Sequence, residues 1–144
     1  MPNRALVCLA ATVSIAFPLA VARAEAAWDQ SAVTRLAAEL QATLGEGLAL
    51  SSQAPPQETA FQQRTRDAAV KRLQRAHEIA GEYAEKLRAG WSREDSGFFF
   101  NQLRASIADA RETAGDAVPA ARTARLLERI DELVREIGAH YTGA

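Results

Sequence analysis

Apolar residues recur at alternating steps of three and four in four separate segments of this chain, and that spacing narrows the fold more than any other feature. A 3-4 repeat places its members on one stripe of a helix, whereas the faces of a strand alternate every second residue. In the second segment the stripe is Ala69, Leu73, Ala76, Ala80, Tyr83 and Leu87; in the third it is Phe100, Leu103, Ile107, Ala110 and Ala114. The fourth carries Leu126, Ile130, Leu133, Ile137 and His140, and the first, from about Asp29 to Leu48, carries Val33, Leu36, Leu40 and Leu44. No segment past the first two dozen residues alternates like a strand, and the good helix formers alanine, leucine, glutamate and arginine are abundant. The expected class is all-α.

The breaks between stripes set the topology. Gly45 and Gly47 are expected to weaken the end of the first helix, and Ser51-Ser52-Gln53-Ala54-Pro55-Pro56 reads as a linker because consecutive prolines prohibit a continuing helix. The second helix is expected from Pro56 or Gln57 to Gly90, and Ser92 with Asp95 resembles a capping pair for the third. Gly115-Asp116 combines a helix stop with a new N-cap, and Pro119 falls in a first turn, where its missing N–H costs nothing. Four seams joined by mostly short loops predict an antiparallel up-down-up-down four-helix bundle.

Ahead of the bundle, Arg4 precedes an uncharged apolar run from Ala5 to Ala22, which closes on Ala22-Arg23-Ala24, with Ala24-Glu25-Ala26 as a second small-x-small site. This is the pattern of a secretory signal peptide and implies export. An anchor would need about 18 uninterrupted apolar residues, and Pro18 with the small-residue exit favours cleavage instead. The expected organisation is therefore a signal peptide at 1–24 and one four-helix domain at 25–144, with no stable membrane span after processing. Cys8 is the single cysteine and leaves with the signal, so the remaining domain has no disulfide, thiol nucleophile or thiolate ligand. Val7 before it is too large for lipoprotein processing. Stability must come from packing.

Removing residues 1–24 from the 144 leaves 120, with 15 basic against 18 acidic residues and a net charge of about −3. That balance gives no attraction for nucleic acid. The densest basic group, Arg64, Arg66, Lys71, Arg72 and Arg75, is broken by Asp67 and reads as a solvated helix face.

In an up-down-up-down bundle the start of the first helix, the end of the second, the start of the third and the end of the fourth meet. Trp28, Tyr83, Trp91, Phe98, Phe99, Phe100 and Tyr141 all map to that end, and only Phe61 maps to the other. His140 joins them, placed by the spacing on the apolar seam. These rings either plug the bundle end or line an apolar pocket for a small molecule or a protein partner. Candidate ligand-binding residues are His140, Trp28, Val33, Tyr83, Trp91, Phe99, Phe100 and Tyr141. Phe98-Phe99-Phe100 is too short to insert into a membrane alone, but one of its rings must point away from the seam, where it could form an exposed partner patch.

The stretch from Phe100 to His140, with Leu103, Ile107, Asp109-Ala110, Ala114-Gly115 and the terminal Ala139-His140-Tyr141, resembles the periplasmic four-helix-bundle cytochromes, cytochrome c prime and its b-type haem relative. The resemblance covers the architecture of the whole exported domain and implies that the periplasm is where it is exported to. It implies an iron-binding histidine at His140, yet it places Glu136 and Ala139 where the haem-attaching cysteines belong and Val33 where the b-type relative has its methionine ligand. The family's aromatic-Arg ending is replaced by Tyr141-Thr142-Gly143-Ala144. His77 lies too far along the second helix to supply a second axial ligand. What the resemblance implies is thus a haem-less relative, with haem held by His140 alone as the alternative.

Other chemistry has little material. Neither histidine has a glutamate three residues before it, as a ferritin-like di-iron site requires. Glu132, Glu136 and His140 share a stripe, which makes Glu136 and His140 weak metal candidates, though Arg129 and Arg135 favour a solvated charge network. There is no phosphate loop, nucleophile elbow or isolated carboxylate pair, so no enzyme and no cofactor are expected. The expected function is that of an exported noncatalytic bundle that binds a small apolar ligand or a protein partner at its aromatic end, with homodimerisation open. The alternatives are a haem-dependent electron-transfer or gas-binding protein and a periplasmic chaperone-like stress protein.

Overall fold

A computed structural model of the chain describes residues 28–53, 59–114 and 121–142. They form four helices, α1 (Gln30–Gln53), α2 (Ala60–Arg88), α3 (Arg93–Ala114) and α4 (Ala121–Thr142), and among the described residues there is no strand. The all-α four-helix bundle read from the stripes is the fold. The apolar leader, Pro55-Pro56 and the Gly115–Pro119 turn lie outside the described residues.

Cross-helix pairs set each neighbour antiparallel. Glu39 and Glu46 of α1 meet Arg129 and Arg122 of α4 in reverse order. Gln30 and Ser51 of α1 bond to Leu87 and Arg66 of α2. Arg72 of α2 pairs with Asp109 of α3, while Tyr83 sits against Phe100. The helices follow one another around the bundle, with α1 packed on α2 and α4, and α3 packed chiefly on α2; α3 and α4 touch only sparsely. The buried core follows the expected stripes at Val33, Leu36, Leu40 and Leu44; Ala76, Ala80, Tyr83 and Leu87; Phe100, Leu103 and Ile107; and Ile130, Leu133 and Ile137, with Ile79 added from outside the second stripe. The outer stripe members Ala69, Leu73 and Leu126 are only half-buried and Ala114 is exposed. No described helix is long and apolar enough to cross a membrane.

Three local details depart from the sequence expectation. The first is that α1 runs on to Gln53 instead of stopping near Leu48. Ser51 and Ser52 turn their hydroxyls back onto the Gly47 and Leu48 carbonyls, 2.9 and 3.0 Å away, so each finds its acceptor within the helix. Gly45 and Gly47 are interior positions where α2 comes close. A Cβ on Gly45 would stand 3.3 Å from His77 Nε2, and one on Gly47 3.6 Å from a Leu73 methyl.

The second departure is the start of α2, which begins at Ala60 rather than near Pro56. Thr59 caps it: its hydroxyl accepts the Gln62 N–H and Gln62 Oε1 accepts the Thr59 N–H, a reciprocal capping box. The other end stops as expected. Gly90, at φ +86°, gives its N–H to Leu87 while Trp91 gives its own to Lys86, closing a Schellman motif that only a residue free of Cβ enters without strain. Ser92 then caps α3 by accepting the Asp95 N–H at 3.2 Å.

The third is the end of α4, where Tyr141, not His140, completes the seam. At about 100° per residue, Tyr141 lies roughly 40° round the helix from Ile137 and His140 roughly 60° the other way. The Tyr141 ring packs on the core and His140 is left half-buried beside it.

Candidate functional site

The rings expected at one end separate into two groups. The inner group closes the core: Phe100 stacks on Tyr141 with centroids 4.9 Å apart and planes 7° apart, Trp28 meets Tyr141 edge-on at 5.1 Å, and Tyr83 lies 6.0 Å from Phe100. Tyr83 and Phe100 are buried, as is Val33. The outer group, Trp91, Phe98 and Phe99, makes two edge-on contacts of 5.6 and 5.7 Å at the α2–α3 corner, where Phe99 also packs against the core. Lys86 Nζ sits 4.3 and 4.4 Å over Trp91 and Phe99, a double cation–π contact, while Phe98 remains 69% exposed. One phenylalanine of the triplet does leave the seam.

A chain of hydroxyls runs through the inner group. Ser96 Oγ donates to the Ser92 carbonyl at 2.6 Å, which leaves it to accept from Tyr141, also at 2.6 Å; Tyr141 in turn accepts from Tyr83 at 2.9 Å. Each buried hydroxyl is thereby satisfied. Burial, together with its bond to Tyr141, raises the Tyr83 phenol far above its ordinary range. Burial also raises Tyr141, against the opposing pull of its contacts with Ser96 and Tyr83. Gln30 ties the first helix to this end, accepting from Trp28 Nε1 at 2.7 Å and donating to the Leu87 carbonyl at 2.6 Å. Arg93 donates to the Tyr141 carbonyl, satisfying one of the open carbonyls of the last turn of α4. Gln30, Arg93 and Ser96 were not singled out from the sequence, because a polar residue between stripes carries no periodic signal.

His140 belongs to a different surface. It continues the α4 stripe of Arg129, Glu132 and Glu136, where Arg129 holds Glu39 at 2.5 Å, Glu132 at 3.0 Å and Glu136 at 3.7 Å. Glu136 is therefore engaged by a guanidinium, and among the described residues no three His, Cys, Asp or Glu side chains gather as a metal site. The Glu39–Arg129 and Glu46–Arg122 register extends to bring His140 level with Trp28. His77 packs against Gly45, and the rise per residue along α1 then separates the histidines by about 25 Å. The core volume at this end is occupied by Trp28, Tyr83, Phe100 and Tyr141, and the two histidines lie at different heights.

Open space lies instead on the flank, where α3 and α4 part. A groove of about 460 Å³ runs between them. Phe100, Val134 and Tyr141 supply its apolar floor, Gly97 and Gly138 its walls, and Arg104, Asp131 and Arg135 its charges. Asp131 is already paired with Arg111 at 2.8 Å, and Arg111 also donates to the Leu127 carbonyl at 3.0 Å, pinning α3 to α4 beyond the groove. Of the ring and histidine candidates named from sequence, Phe100 and Tyr141 line the groove; Trp28, Val33 and Tyr83 lie in or against the core behind it, Trp91 and Phe99 are on the outer corner, and His140 is on the α1-facing stripe. The groove's other residues are Gly97, Asn101 and Arg104 of α3 and Asp131, Val134, Arg135, Gly138 and Thr142 of α4, whose only sequence signal was a glycine inside each helix. Comparison with known proteins finds no matching family model, no matching curated relative and no matching solved structure.

Proposed function

We propose that the chain is an exported, noncatalytic binding protein of the haem-less cytochrome c prime type, which takes a small apolar molecule beside its aromatic end. The observation that carries this reading is the α3–α4 groove, which opens onto the Phe100 and Tyr141 rings while the bundle end itself is full. A cleft of a few hundred Å³ that combines apolar lining, here Phe100, Val134 and Tyr141, with convergent polar groups, here Asn101, Arg104, Asp131, Arg135 and Thr142, is where a small molecule can be held. The reading thus moves the ligand from beneath His140 to the flank. Export rests on the Ala5–Ala22 run and its small-residue exit.

The test is a fluorescence titration with the neutral apolar probe N-phenyl-1-naphthylamine. Saturable one-to-one enhancement is expected, and Gly138→Leu, which fills the groove, should abolish it with helicity retained by circular dichroism. Enhancement that survives Gly138→Leu, or none at all, overturns the reading. Haem provides the competing arm. Protein purified from the periplasm should be colourless, and added haem should bind the native chain and His140→Ala alike; a stoichiometric Soret band lost in His140→Ala would make this a haem protein. A second reading, a protein partner at the outer corner, is favoured by the exposure of Phe98 beside Trp91 and Phe99. Phe98→Ala should then weaken association without altering probe binding in the groove.

A further inference from the structure

The walls of the α3–α4 groove contain two glycines in helix interiors, where glycine is disfavoured by about 0.8–1.0 kcal/mol relative to alanine. Close packing explains such a residue at Gly45, where a Cβ would press on His77 at 3.3 Å, and at Gly81, where it would stand 2.9 Å from Gln41 Nε2. It does not explain Gly97 or Gly138. A Cβ at Gly97 would meet the Tyr141 ring at 3.7 Å and one at Gly138 the Phe100 ring at 3.7 Å, both ordinary contacts. What a side chain at either position would remove is open volume beside the half-buried Tyr141 ring, since Phe100 itself is 2% exposed. The two glycines therefore keep the space around Tyr141 open.

The charges around that surface are unequal. Asp131 is engaged by Arg111, whereas among the described residues neither Arg104 nor Arg135 has a carboxylate partner. The Arg104 guanidinium lies 5.8 Å from the Phe100 ring centroid, so it sits over the ring and its N–H groups remain available to a ligand. Two guanidiniums without a carboxylate partner thus border the same groove. Guanidinium matches the geometry of carboxylate and sulfonate oxygens, and does so best where water is partly excluded by neighbouring rings.

From these features we infer that the groove is selective for a small aromatic anion, its ring body laid against Tyr141 and Val134 and its carboxylate or sulfonate held by Arg104 and Arg135. This inference rests on the groove being a binding site and adds the class of ligand. The occupant contributes a planar apolar face to the floor and one negative charge to the rim, so a neutral molecule of equal shape binds more weakly.

The experiment compares two probes that differ by a single group, 1-anilinonaphthalene-8-sulfonate and the neutral N-phenyl-1-naphthylamine, on the exported protein. The anionic probe should bind roughly tenfold more tightly, an advantage that falls with rising salt and disappears in Arg104→Gln/Arg135→Gln. Phe98→Ala, away from the groove, should leave both affinities unchanged, which separates groove binding from adsorption to the outer rings. If the neutral probe binds but the anionic probe gains nothing, or keeps its advantage in the double variant, the anion selectivity is wrong and the groove reading stands. If neither probe binds in a manner sensitive to Gly138→Leu, the groove reading itself has failed.

Discussion

Phe100 and Tyr141 lie face to face across the α3–α4 seam, 4.9 Å between centroids and 7° between planes, at the one place where these two sparsely touching helices share a packed contact with the core. The Tyr141 hydroxyl carries that contact inward to Tyr83 and Ser96. Tyr141→Phe keeps the stack and removes both hydroxyl bonds, leaving the buried Tyr83 O–H without its acceptor. A loss of about 1–3 kcal/mol is expected in urea melts. A variant as stable as the native chain would show that the hydroxyl chain contributes nothing.

The same hydroxyls predict an alkaline limb in stability. Both tyrosines are raised in the fold, so above the unfolded-state pKa near 10 the unfolded chain releases protons that the folded chain retains. Their contribution is fully present below that pH and declines as pH rises, by up to about 1.4 kcal/mol per unit for each phenol. Urea midpoints between pH 8 and pH 11.5 should fall, and Tyr83→Phe should flatten the slope. An unchanged slope in Tyr83→Phe would assign the limb to other groups.

Core and surface positions should separate by a wide margin. Leu103→Ala and Leu133→Ala each remove a fully buried side chain and should cost about 2–5 kcal/mol. Arg72→Ala breaks only an exposed pair with Asp109 and should change stability by less than about 1 kcal/mol. Equal effects in denaturant melts would refute the seam assignment.

The glycines should respond with opposite signs. Gly138→Ala adds a methyl where space exists and should stabilise α4 by about 0.4–1 kcal/mol while lowering probe affinity in the groove. Gly90→Ala forces a Cβ into the left-handed region and should destabilise by about 1–2 kcal/mol. Thermal melts of the two variants, read with a probe titration of the first, check both.

Export should remove residues 1–24 or 1–26, and intact mass of the exported protein would show which small-residue site is used. Recovery of the chain in membranes with Met1 still attached would make it an anchored protein instead.

The fold was legible because it depends on a repeating signal. Steps of three and four placed Leu40, Leu103, Ile130 and Leu133 in the core, and Gly90 announced the end of α2, since burial of one stripe and a positive φ each demand particular residue types at fixed spacing. The aromatic end was legible as a location, because antiparallel helices joined by short turns must bring those ring-bearing segments together. Its internal arrangement was not. Whether Tyr141 or His140 turned inward depended on a rotation of tens of degrees at a helix end, decided by the flat Phe100 face available to stack against. Gly45 and Gly47 read as helix weakeners, yet the approach of α2 made them interior contact points. The groove was least visible of all, because it exists only where α4 leans on α1 and away from α3, and a gap between two helices has no residue pattern of its own. Sequence by itself determined which faces are buried, through the period of the apolar residues; tertiary packing alone decided which rings fill the end and where space is left beside them, because that depends on distances between helices that no single segment encodes.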